Sequence, residues 1–249
     1  MKTEWDYTNL AEAYLNRPDY APSAISEMLK YAEVKENDSA CDVGAGAAHL
    51  TLELARFGLK VWAVEPNDAM RANGIRRTEK YPGVQWFEGV GEDTGMEAAK
   101  FDLVTFGSSF NVCDRPKALV ETSRILKPQG WFACMWNHRD LDNPLQEEIE
   151  AIIKRNIPGY EYGARREDQT PVIDQSGLFK EVRFISGQVT HQIKAQEFIE
   201  GWKSHGTVYR QSPEVFQKII EDIRKLVEGL HQEMIAVPYT TRIWMAQKK

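Results

Sequence analysis

Apolar positions along this chain follow two rhythms that take turns. Short, nearly continuous apolar runs stand at 39–43, in KVWAVE (60–65), VQWFEG (84–89), FDLVTFG (101–107) and WFACMW (131–136). Between them the apolar residues are spaced by three and four. SAISEMLKYAEV puts Ile25, Met28, Leu29 and Ala32 on one side. AAHLTLELARF puts Leu50, Leu54 and Phe57 on one face, and Gly58 stops it. A further helix begins near Asp68, and RPKALVETSRIL (115–126) is broken by KPQG. Spacing by three and four predicts amphipathic helices, whereas nearly continuous apolar runs suit parallel strands buried on both faces. Their alternation predicts a doubly wound, mostly parallel α/β sheet.

The C-terminal part changes rhythm. KEVRFISGQV (180–189) and TTRIWMAQ (240–247) read as strands six and seven. SPEVFQKIIEDIRKLVEGLHQEM lies between them, with Ser212 placed to cap a long helix and Pro213 at its first position. Phe216, Ile219, Ile220, Ile223, Leu226, Val227 and Leu230 form its apolar stripe. The expected organisation is a single domain over 1–249, with an N-terminal arm (1–35) and cap insertions at about 140–175 and 190–236. Added segments at the carboxyl edge of such a sheet commonly build a substrate pocket.

Composition narrows the partners. The net charge of -6, with no run of Lys and Arg, argues against nucleic acid. No apolar run reaches the ~20 residues of a membrane helix. The opening MKTEWDYTNLAEAY is polar and acidic, unlike a secretory signal. Cys41, Cys113 and Cys134 are scattered and fit buried hydrophobes in a reducing compartment. These features predict a cytoplasmic protein; the histidines have no metal-ligand spacing with the cysteines, so no metal site is expected, and the oligomeric state stays open.

The chemistry concentrates in ACDVGAGAAHLTLELARFG (40–58). Gly44 and Gly46 permit a sharp turn and close approach of a ligand, and the following helix directs free N–H groups toward it. Glu65 ends the next strand about 20 residues beyond Asp42, the spacing at which a carboxylate takes ribose hydroxyls. A dinucleotide turn would carry glycine where this chain has His49, and Asp42 would repel a pyrophosphate. An acid there suits a cation. S-adenosylmethionine, with its sulfonium, ammonium and ribose and no phosphate, fits this charge pattern better than NAD.

DVGAGAA followed by VEPN resembles motifs I and II of the class I S-adenosylmethionine-dependent methyltransferases. GVGEDTG (89–95) is similar to the family's adenine loop, FDLVTFGSSFNVCD (101–114) to its motif IV, and ALVETSRILKPQGWFACMW to the helix, turn and strand that follow. The resemblance implies a Rossmann-like methyltransferase fold of seven strands with an inserted helical cap. It implies cofactor contacts at Asp42, Gly44, Ala45, Gly46, Glu65, Pro66, Met70, Gly91, Glu92, Asp93, Gly107, Ser108 and Phe110. GSSFNVCDRP and YLNRPDY (14–20) are similar to segments of the small-molecule enzymes related to trans-aconitate methyltransferase. From the arm this implies Tyr14, Arg17 and Tyr20 over the cofactor. Asn111 departs from the histidine often found in that group.

Methyl transfer from an activated donor mainly needs alignment and exclusion of water, so no fixed catalytic motif is required. MWNHRD (135–140) ends the fifth strand, making His138 the candidate general base, with Trp136, Asn137 and Arg139 beside the acceptor. Asn111, Trp202, His205 and Tyr209 complete the expected substrate set. Two other readings share parts of the pattern: a nicotinamide-dependent reductase, and a non-catalytic S-adenosylmethionine-binding protein.

Overall fold

The computed structural model describes residues 6–249, and each apolar run in it is a strand of one sheet. The strands are β1 (Ser39–Val43), β2 (Lys60–Val64), β3 (Val84–Phe87), β4 (Phe101–Gly107), β5 (Leu126–Arg139), β6 (Arg183–Lys194) and β7 (Met234–Gln247). Their order is β3-β2-β1-β4-β5-β7-β6. β1 to β5 are parallel, and β7 runs antiparallel to both of its neighbours. Reversal at β1 between β2 and β4 opens a crevice at the carboxyl ends of those strands, where α/β sheets bind ligands.

Ten α-helices occur among the described residues. α1 (Ala11–Tyr14) belongs to the N-terminal arm, whose first five residues lie outside the described residues. α2 (Pro22–Tyr31), α3 (His49–Arg56), α4 (Asp68–Thr78) and α5 (Arg115–Ile125) flank the parallel strands. The starts of α4 and α5 follow from their sequences: Asn67 accepts the Met70 N–H and Asp114 the Lys117 N–H, satisfying otherwise orphaned donors. α6 (Pro144–Asn156), α7 (Thr170–Gln175), α8 (Ala195–Trp202), α9 (Gly206–Gln211) and α10 (Pro213–Glu228) follow. Ser212 precedes α10 as expected, but its hydroxyl donates to Glu214 Oε1 and caps no backbone N–H.

Three apolar clusters hold these layers together. On one sheet face Met28, Leu54, Leu103 and Met135 pack with α2 and α3; on the other, Phe106, Leu119 and Phe132 pack with α5 and α7. The third joins α6, α8 and α10 to the far ends of β6 and β7 through Ile153, Phe198, Ile223 and Val237. These strands are longer than their apolar runs indicated. Thr190–Lys194 and Met234–Ala236, expected in the insertion, are ladder residues, with Ile193 opposite Ile235. Alternation there gives Ile193, Ile235 and Val237 one covered face, which a short polar-rich segment does not advertise.

Gly74 supplies a stability prediction. Alanine in a helix interior ordinarily gains about 1 kcal/mol over glycine. Here a Cβ would lie 2.0 Å from Trp86 Cη2, and that indole is anchored by its N–H to Thr78 Oγ1. Overpacking of this kind costs about 1–3 kcal/mol, so Gly74→Ala is expected to lower the urea midpoint rather than raise it.

Candidate functional site

The turn after β1 is tied to the end of β2 from both sides. Val64 O accepts the N–H of Gly44 and of Ala45. Glu65 Oε2 accepts the Gly46 N–H at 2.8 Å, and its Oε1 accepts the Asn67 N–H at 2.9 Å. Gly44 has φ +67° and Gly46 φ +55°; a Cβ on Gly44 would stand 2.4 Å from Ser109 Cβ. Glycine is therefore required at the first position by both dihedral and space. α3 starts at His49, slightly later than its pattern suggested, because Ala48 takes a left-handed conformation at φ +69°.

Two buried carboxylates flank this turn. Asp42 accepts hydrogen bonds from Thr51 Oγ1 (2.6 Å) and Thr105 Oγ1 (3.0 Å). Burial nonetheless pushes its pKa up to about 6, with the Glu65 charge adding to the rise. Glu65 is also raised by burial, against the lowering effect of its two backbone donors.

The turn opens into a cleft of two adjoining chambers that share Tyr14, Gly44, Gly46, Gly107 and Ser108. Glu65, Pro66, Met70, Gly91, Glu92 and Asn111 line the outer chamber. Glu92 Oε1 accepts the Asp114 N–H, which fixes this loop against the start of α5. Two expected members lie elsewhere. Asp93 is exposed, its backbone turned into a bridge with Val90. Phe110 is fully buried among Phe106 and Phe132, since the turn 110–112 directs it into the core and leaves Asn111 facing the chamber.

Arg17, Tyr20, Asp42, Ala45, His138, Arg139, Trp202 and His205 line the inner chamber. The arm crosses it under several polar anchors. Arg17 donates through Nε and Nη2 to Ser204 Oγ and O, both at 2.9 Å. Tyr20 Oη lies 3.0 Å from Ser108 Oγ, and Asn137 Nδ2 donates to Pro18 O and Asp19 O. His49, which stands where a dinucleotide turn would carry glycine, bridges Asp19 Oδ1 and Tyr14 O and joins the lining.

His138 Nε2 faces Arg165 O at 2.9 Å, so that nitrogen carries the proton and Nδ1 is left as a buried acceptor with no partner. Burial, with Arg166 nearby, lowers its pKa to about 4. Arg139 pairs with Glu150 at 3.0 Å and lies over the Trp202 ring, which in turn stacks on His205. Trp136 is absent from both chambers. Strand alternation places it with Phe132 and Cys134 in the second cluster, where its N–H donates to Asn111 Oδ1. Tyr209 lines a separate groove beside Leu10 and Phe216.

Asn137, expected beside the acceptor with the rest of MWNHRD, lines the inner chamber; sequence reasoning did not select Tyr162, Arg165, Arg166 or Tyr239, which line it as well. The signal that points to the arginines is an adjacent pair beside tyrosines, YEYGARRED, within an inserted segment.

Known proteins share the fold that carries this cleft. Residues 41–134 match the methyltransferase domain family. An uncharacterized methyltransferase of Mycobacterium tuberculosis is 27% identical over 237 residues, covering 90% of this chain and 88% of that one. The YcgJ protein of Bacillus subtilis is similar in structure, with TM-score 0.57, 17% identity, and coverage of 91% of this chain and 98% of that one. Phosphoethanolamine N-methyltransferase 2 of Haemonchus contortus, solved in complex with S-adenosyl-L-methionine, has TM-score 0.56 at 17% identity, covering 99% of this chain and 58% of that one. The matched domain and the relatives are those of methyltransferases, and the shared fold is one in which the Haemonchus enzyme holds S-adenosyl-L-methionine. Among the described residues no helix is long and apolar enough to cross a membrane.

Proposed function

We propose that the protein transfers a methyl group from S-adenosylmethionine to a small molecule, acting as a single domain whose arm and C-terminal helices cover the cleft. The observation that carries this reading is the glycine turn held between two buried carboxylates, Asp42 and Glu65, at the mouth of a two-chambered cleft. The donor set fits the cofactor: a Cβ at Gly44 or Gly91 would enter neighbouring side chains, and the acids favour a cationic nucleoside over a diphosphate. Bound there, the cofactor supplies a methyl group already activated as a sulfonium substituent.

In this reading Glu65 holds the ribose hydroxyls, Asp42 stabilises the positive end, and the Gly91–Glu92 loop borders the adenine. Tyr14 and Tyr20 shield the methionine portion, and Arg17 Nη1 remains to meet its carboxylate. The inner chamber takes the acceptor beside Arg139, Trp202 and His205. Micromolar binding of S-adenosylmethionine by calorimetry is the expected result. A folded protein that binds NADH or NADPH instead would overturn the proposal.

His138 has too little proton affinity to serve as a strong base at neutral pH, because a useful base has a pKa near the working pH. Its bond to Arg165 O makes it a support for the arginine segment. His138→Gln is expected to lower the transfer rate by less than about tenfold; a loss of about 10²–10⁴ would restore it as general base.

A further inference from the structure

The inner chamber is strongly cationic within an acidic protein. Arg17, Arg139, Arg165 and Arg166 all line it, and Asp42 is the only acid among its described lining residues. Asp42 sits on the turn side, held by Thr51 and Thr105. Nearby acids are committed elsewhere: Glu150 to Arg139 and Lys154, and Asp19 to His49.

Three of the guanidiniums are positioned by neutral groups. Arg165 Nη2 donates to Tyr160 Oη at 3.1 Å and Arg166 Nη2 to Arg139 O at 3.2 Å, while Arg17 is bonded to Ser204. None of the three has a carboxylate partner among the described residues. Arg165 Nε is buried with no hydrogen-bond partner at all. Leaving a buried charged donor unmatched is costly, and a bound anion is one partner that would offset that cost. Burial and the neighbouring arginines also pull Arg165 below the usual arginine range. An anion entering this space would relieve both effects. Guanidiniums match carboxylate and phosphate oxygens with paired N–H donors.

The same chamber also carries uncharged surface. Ile193, Phe198, Trp202 and Tyr239 present apolar and aromatic surface. That combination suits an apolar body with one charged end.

Resting on the methyltransferase reading above, we propose that the methyl acceptor is an amphipathic oxyanion, a carboxylate or phosphate monoester on an apolar, planar body, gripped by Arg165 and Arg166.

The test uses the full-length protein saturated with S-adenosylhomocysteine and calorimetry with four probes: benzoate, phenyl phosphate, and the neutral benzamide and phenol. Both anions, or one of them, are expected to bind at least about tenfold more tightly than the matching neutral probe. Their affinity should fall with added sodium chloride while that of the neutral probes stays level. The stronger anion identifies the preferred oxyanion. Arg165→Gln should remove the preference while retaining S-adenosylhomocysteine binding, and Arg166→Gln serves the same purpose if the first variant does not fold. Equal or tighter binding of the neutral probes overturns the proposal, as does anion binding unaffected by the substitution in a variant that still binds S-adenosylhomocysteine. Failure of wild-type protein to bind S-adenosylhomocysteine would instead count against the methyltransferase reading, so the two failures are distinct.

Discussion

Glu65→Ala is expected to weaken S-adenosylmethionine binding by about 1–3 kcal/mol, roughly five- to 160-fold in the dissociation constant measured by calorimetry. Two losses contribute. The proposed ribose contact is a charge-assisted hydrogen bond, and the same carboxylate organises the turn by accepting the Gly46 and Asn67 N–H groups. Glu65→Gln separates them. An amide has one acceptor oxygen, so its NH2 would meet one of the two backbone donors and disturb the turn while preserving side-chain volume. Glutamine is therefore expected to fall between wild type and alanine. An affinity unchanged within twofold in both variants would remove Glu65 from the cofactor site.

Asp42 should couple stability and binding to pH in opposite senses. Its folded pKa is about 6, against the ordinary aspartate value of 3.8. Well below pH 3.8 the carboxyl is protonated in both folded and unfolded chains and costs nothing. As pH rises, the unfolded chain ionises first and the folded state loses stability until about pH 6, a total of about 3 kcal/mol. Asp42→Asn can keep hydrogen bonds with the two threonine hydroxyls and carries no charge. In urea titrations at pH 7 it is expected to be more stable than wild type, by up to about 3 kcal/mol. Its cofactor affinity should fall at least tenfold, because the proposed partner of the positive end is gone. Wild-type affinity should rise from pH 5 to pH 7, and the affinity of the Asp42→Asn variant should not. Proton release on binding at pH 5, read from calorimetry in buffers of different ionisation enthalpy, gives a second measure. A pH-independent wild-type affinity would exclude this role. Stability given up at a binding site is a common exchange in natural proteins.

The parts of this molecule that were legible in its sequence are those with a single physical explanation. Runs such as FDLVTFG are apolar at their centre because β4 is covered on both faces, and Gly44 and Gly46 stand where a turn needs positive φ. Asp42 and Glu65 were visible because acids at the ends of apolar strands have no role in packing. Residues with two possible directions were harder. Phe110 and Asn111 are adjacent in one turn and face opposite ways, as do Trp136 and Asn137 in β5, and parity cannot be fixed before the register is known. Arg165 and Arg166 lie in a polar insertion that reads as a solvated surface. Only the docking of that segment, through His138 and Tyr160, turns them inward.

The order of the sheet has a consequence for how the protein is made. β7 contains the final residues of the sheet, yet it lies between β5 and β6 and hydrogen-bonds to both. During synthesis β6 therefore has no neighbour to join until β7 has been translated. The parallel half can assemble on the ribosome, but closing the remainder waits for β7 to emerge, and a truncation within that strand would leave β5 and β6 without a shared edge.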